Sequence, residues 1–139
     1  MKLITERVRV SAESHCGIVD ITGDVASVLS ETGLTDGNVL IFVKGSTGGV
    51  TTVEYEPGLL KDLPEFFEKI IPSDVSYQHD KTWGDGNGFS HLRASLLGPS
   101  INVPFENGKL LLGTWQQIII INFDNKSRTR EIILQFMGD

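Results

Sequence analysis

A single cysteine, Cys16, is the whole thiol inventory of this 139-residue chain. It excludes an intramolecular disulfide and a cysteine-rich zinc site, and leaves a reducing, cytoplasmic setting as the simplest expectation. Basic charge is also scarce, with 12 Lys and Arg against 18 Asp and Glu for a net charge of −6. General attraction to nucleic acid or to an anionic membrane surface is thereby excluded, while a local basic pocket is not. No apolar run approaches membrane-spanning length, and the opening MKLITERVRV interleaves charges with apolar residues, so neither a spanning helix nor a signal peptide is expected. There is no internal repeat, low-complexity tract or linker. With 40% hydrophobic residues the chain has material for one core, and a single domain over residues 1–139 is expected.

Leu3 to Val10 alternates apolar and polar residues at the period of a half-buried strand, and Gly17 to Ile21 reads as a short second strand. Thr22 is placed to cap a helix carrying Val25, Val28 and Leu29 on one stripe, with Gly33 as its stop. Asn38 to Lys44 is a β-branched and aromatic run suited to a central strand, followed by a glycine-rich turn and a returning strand over Val50 to Tyr55. From Pro57, the residues Leu59, Leu60, Leu63, Phe66, Phe67 and Ile70 recur at helical spacing and predict a helix packed on the sheet, kinked or divided at Pro64. Four strands are then expected over Ile101–Phe105, Lys109–Leu112, Thr114–Phe123 and Arg128–Met137, joined as an antiparallel meander. The fold class predicted is α+β, a largely antiparallel sheet with two main helices packed on it. The run Ile118 to Ile121 must be covered on both faces, either inside one subunit or by association.

The chemistry gathers between Tyr77 and Ser100, where His79, Asp80, Asp85, Asn87, His91 and Arg93 are interleaved with Gly84, Gly86 and Gly88. Neutral imidazole is a good ligand for zinc and related ions, so His79 and His91, with Asp80, Asp85 or Glu54 as oxygen donors, could form an open metal site. A hydrogen-bonded histidine pair without metal explains the same spacing. Arg93 could hold a phosphate through charge-assisted bonds, or be solvated on a surface helix or strand. Ser46, Thr47, Gly48 and Gly49 either cradle a phosphate with amides and hydroxyls or form a plain turn between strands. They do not spell a Walker A motif, which ends in Gly-Lys-Ser/Thr. Glu54 is either a general base and carboxylate ligand or an exposed strand residue. Trp115 and Gln116 could offer stacking and amide bonds to a heterocycle, with core packing as the alternative for Trp115. Ser95 has no histidine and acid at triad spacing.

YQHDKTWGDGNGFSHLRASLLGPS, the pattern after Gly45, and LLGTWQQIIIINFD together resemble the YjbQ-like family, small proteins described as uncharacterised or as secondary thiamine phosphate synthases. The resemblance spans nearly the whole chain. It implies a homotrimer, a pocket lined by the equivalents of His79 and His91, with Lys or Arg at position 93, and a glutamate matching Glu54 at the end of a Thr-x-Asn-Glu pattern in which Val53 here replaces the asparagine. A further family histidine begins an HTSA or HTTA segment, and the matching position here is Gly45, which removes one nitrogen ligand or acid–base group. The activity implied is a metal-assisted transfer joining a pyrimidine pyrophosphate to a thiazole phosphate, giving thiamine phosphate and pyrophosphate. His79, His91 and Glu54 would be catalytic; Ser46, Thr47, Gly48, Gly49, Arg93 and Gln116 would bind phosphate or substrate; His79, His91 and Asp85 would hold a divalent ion, Zn or Mg. A non-catalytic trimer binding a metal or phosphorylated metabolite, and a metal-dependent phosphoester hydrolase, use the same residues.

Overall fold

The computed structural model describes residues 1–139. Its elements are β1 (Lys2–Ala12), β2 (Gly17–Asp20), α1 (Thr22–Thr32), β3 (Gly37–Lys44), β4 (Gly48–Val53), α2 (Pro57–Ile70), α3 (Gln78–Trp83), α4 (Gly88–Leu97), β5 (Ser100–Glu106), β6 (Lys109–Leu110), β7 (Gln117–Asn122) and β8 (Arg128–Gly138). Every strand pairing is antiparallel. The α+β class is as expected, but the strands divide into two sheets, a five-stranded one ordered β1-β8-β3-β5-β6 and a three-stranded one ordered β2-β7-β4. The carboxyl-terminal meander is therefore corrected: β7 leaves its sequence neighbours for the smaller sheet, and β8 returns between β1 and β3. There are four helices, because the glycine-rich stretch from Tyr77 onward folds into α3 and α4.

The isoleucine run explains this division. Ile118 and Ile120 point into the core between the two sheets, against Val39, Ile41, Ile132 and Leu134, while Ile119 and Ile121 point the other way, into a second core with Phe67, Ala94 and Phe123. All four are buried within one chain. Both faces of β7 are thus covered internally, and the run itself no longer argues for subunit association. The result is three layers, with α2 and α4 on the outer face of the smaller sheet.

Local chemistry sets the helix ends. Thr22 is the first residue of α1 rather than its cap, a position taken by Ile21, and its hydroxyl instead accepts the Ile118 amide and donates to Asp20. Gly33 closes that helix in the left-handed region at φ 73°. The Glu56 carboxylate caps α2 by accepting the Gly58 and Leu59 amides. Helix α2 runs through Pro64, yet of its apolar stripe only Phe67 is fully buried, and Phe66 and Ile70 are exposed. That corrects the expectation that the bulk of the stripe packs on the sheet.

Candidate functional site

Helices α3 and α4 are clasped together at their starts by one carboxylate. Asp80 Oδ2 accepts the Tyr77 amide at 2.9 Å and Oδ1 accepts the Gly88 amide at 2.8 Å. These two bonds hold its carboxyl below the usual carboxylate range. Gly88 is required there, since a Cβ would lie 2.8 Å from Tyr77 Cβ and 3.0 Å from Asp80 Oδ1. The clasp brings His79 of α3 against His91 of α4, with ring centroids 4.2 Å apart and planes tilted by 39°. His79 Nδ1 is buried and has no hydrogen-bond partner; Asp85 Oδ1 and Asp80 Oδ1 lie 3.8 and 3.9 Å away. Burial and the adjacent His79 both lower the pKa of His91, so its imidazole is held neutral over a wider pH range than a free one.

His91 faces a cleft of about 430 Å³ that has no apolar residue in its lining. The turn Gly45–Thr47 forms one wall, Asn87 and His91 from the start of α4 a second, and Asp124, Arg128 and Arg130 the third. Asp124 organises it. Its carboxylate accepts from Thr47 Oγ1 at 3.2 Å, Asn87 Nδ2 at 3.3 Å, the Asn125 amide at 2.8 Å and Arg128 Nε at 3.0 Å. Burial alone would raise its pKa, but the bonds from Asn87, Arg128 and Asn125 outweigh burial and hold it low. Arg130 donates from Nη2 to the neutral oxygens of Thr47 at 2.6 Å and Asn122 at 2.5 Å. Burial lowers its pKa, with Asp124 opposing, but a guanidinium remains charged.

The sequence-predicted residues distribute unevenly around this cleft. His91, Ser46 and Thr47 line it, and His79 stands behind His91. Gly48 and Gly49 do not form an open nest: they begin β4, paired with Asn122 and Ile121, and leave room for Arg130 and for Leu97 with the Gly98 carbonyl. Arg93 is 2% exposed and turned inward, donating to the Ile71 carbonyl from Nε and Nη2 and to Glu68 from Nη2, over the ring of Phe89. In place of Arg93, the cleft has Arg128 and Arg130. Glu54 and Gln116 line a separate pocket of about 400 Å³ with Trp115. They sit at the far end of β4, about 20 Å from Gly48 at the strand's rise per residue.

His79, His91 and Asp85 are not grouped as three ligands of one ion within the chain. Their ring centroids lie 4.2 Å apart with planes tilted by 39°, whereas ligand nitrogens must aim in-plane lone pairs at a common point. No three His, Cys, Asp or Glu side chains are grouped to hold one ion.

Sequence reasoning missed Asp124, Arg128 and Arg130. The available signal was the i, i+2 spacing of the two arginines, which puts both on one face of β8. An arginine pair at a strand start ordinarily reads as solvated charge, and only the turn at Gly45 shows otherwise.

The family model described as UPF0047 protein YjbQ-like matches residues 6–139. The chain belongs to the YjbQ-like UPF0047 family. A UPF0047 protein of Archaeoglobus fulgidus is 43% identical over 118 residues, covering 85% of this chain and 89% of that protein. The UPF0047 protein YugU of Bacillus subtilis is 38% identical over 122 residues, covering 87% and 89%. Among solved structures, a protein of unknown function from Sulfolobus solfataricus superposes with a TM-score of 0.93 at 31% identity, covering 99% of each chain. A UPF0047 protein from Clostridium acetobutylicum gives 0.86 at 32% identity, covering 95% of this chain and 99% of that one. The two-sheet architecture and the four helices are thus those of a YjbQ-like fold. No helix is long and apolar enough to cross a membrane.

Proposed function

We propose that this YjbQ-like chain binds a small phosphorylated molecule in the His91 cleft and acts as a transferase that displaces a phosphate-bearing leaving group. One observation carries the reading: Arg130, 7% exposed and bonded only to neutral oxygens, adds a buried positive charge to a cleft with wholly polar lining. The other arginine, Arg128, is already matched by Asp124. The cleft is therefore locally cationic on an acidic protein, and the start of α4 beside it adds amide dipoles of the same sense.

The reaction to test first is the one the resemblance implies, joining a pyrimidine pyrophosphate to a thiazole phosphate. Both substrates carry phosphate, and the pyrophosphate that leaves takes away the bonding electrons. Arg130, Arg128 and the N–H of a neutral His91 would stabilise that growing charge. A divalent ion is assigned to the substrate pyrophosphate, because the chain does not group three ligands for one. Glu54, Trp115 and Gln116 take part only through the homotrimer, by approaching a cleft of another subunit; sedimentation of the purified protein tests that assembly. Incubation of the protein with both substrates and Mg²⁺, followed chromatographically, should give thiamine phosphate, with His91→Ala and Arg130→Gln each reducing the rate at least tenfold or so.

A non-catalytic phosphometabolite-binding trimer is the second reading, favoured by the separation of Glu54 from the histidines within one chain. Ligand retained in native mass spectrometry with no product would select it. Release of inorganic phosphate from a phosphoester would select the hydrolase.

A further inference from the structure

Resting on that reading, we propose that the phosphate subsite is built for a tetrahedral oxyanion that still carries a proton, as in a phosphate monoester monoanion. In this arrangement Arg130 donates to the charged oxygens and Asn87 accepts the hydroxyl.

The arginine lies against bare backbone. A Cβ on Gly45 would come within 2.8 Å of Arg130 Nη1, and one on Gly48 within 3.2 Å of Nε. Gly45 also has φ 152°, a conformation that side chains rarely adopt. The guanidinium spends Nη2 on Thr47 and Asn122. Its Nε is buried with no partner in the chain. The same cleft holds an unmatched group of opposite sense. Asn87 is 8% exposed, and its Oδ1 is likewise buried without a partner.

The orientation of that amide follows from its neighbour. Asp124 is held ionised and can only accept, so the Asn87 nitrogen must face it, as it does at 3.3 Å, and the oxygen must face away. Arg130 and Asn87 both line the one cleft, and the buried donor of the first and the buried acceptor of the second, left unmatched, each carry a desolvation cost of about 1–3 kcal/mol. A ligand that supplies an anionic oxygen and a hydroxyl together removes both costs. Sulfate offers only acceptors near neutral pH, whereas a phosphate ester has a second pKa of about 6 and retains a proton below it. The subsite should therefore tell phosphate from sulfate, two ions of nearly the same size and shape.

The experiment is calorimetric titration of the full chain with inorganic phosphate and with sulfate at about pH 6, where only phosphate carries a proton. Phosphate should bind about tenfold tighter or more, the discrimination expected when a buried polar group is left unpaired by the poorer ligand. Asn87→Ala should bring the preference to within about twofold while leaving sulfate binding in place, and Arg130→Gln should weaken both anions about tenfold or more. Urea unfolding of each variant verifies the fold, and the wild-type comparison needs no variant. Equal affinity for the two ions, as expected if water fills the subsite, overturns the inference. So does undiminished anion binding by folded Arg130→Gln. If phosphorylated substrates bind or turn over while phosphate and sulfate compete equally, this inference fails and the proposed function stands. If no phosphorylated compound binds, both fail.

Discussion

Replacing Arg93 by leucine separates a structural arginine from a ligand-binding one. Its Nε and Nη2 reach the Ile71 carbonyl at 3.0 and 2.8 Å, where that residue closes α2. Leucine would leave the carbonyl without its charged donor, a loss of about 1.5–3 kcal/mol. The guanidinium also lies 4.9 Å from the Phe89 centroid, a contact contributing about 2 kcal/mol when desolvated. The ion pair with Glu68 adds little, because that carboxylate is 49% exposed. The total is about 4 kcal/mol, which at a urea m-value of about 2 kcal/mol/M lowers the unfolding midpoint by roughly 2 M. Phosphate affinity, measured below the transition at fixed protein concentration, should be unchanged. A midpoint shift under roughly 0.3 M would refute the energetic reasoning. Loss of phosphate binding by a folded Arg93→Leu would return this residue to the site.

Two further outcomes follow from the titrating groups. The pKa of His91 is lowered from an ordinary value of 6.5 by burial and by His79, so the unfolded chain takes up that proton first. Its stabilising contribution is complete above pH 6.5 and is lost as pH falls toward the lower folded value. Urea midpoints should decline over that interval in the wild type and less in His91→Gln; parallel declines would show that the loss arises elsewhere. Asp124, lowered from 3.8, adds a loss of the same sign only in more acidic solution. The Cys16 thiol is buried, with its pKa raised to about 11 chiefly by desolvation. It should therefore resist a disulfide reagent in the native state at mildly alkaline pH and react once in urea; stoichiometric native labelling would contradict the burial.

Several elements were legible because their signals are local. Alternation in Leu3 to Val10, the β-branched run after Asn38, the left-handed stop at Gly33 and the proline start of α2 each follow from spacing or from a residue with one backbone preference. The stretch after Tyr77 was legible as chemistry but not as structure. Its glycines suggest a flexible turn, yet Gly84 closes α3 in the left-handed region and Gly88 lets α4 approach Tyr77 and Asp80. Arg93 shows the limit most clearly. A cation two residues after a histidine has the composition of a phosphate site, but on a helix a step of two turns the side chain to the opposite face, where it meets Ile71 and Glu68.

By itself, the sequence determined the family, the α+β class, the order of most elements and the stretch in which His79 and His91 come together. These depend on residue identity and short-range periodicity, which need no knowledge of the fold. Tertiary structure alone decided that β7 joins a second sheet, that Glu54 and Gln116 lie away from the histidines, and that Asp124, Arg128 and Arg130 complete the cleft. Thr47 and Arg130 are separated by 83 positions, and no local pattern marks their hydrogen bond. It forms because Gly45 and Gly48 carry no Cβ where the guanidinium comes to rest, a steric condition that exists only after the strands have packed.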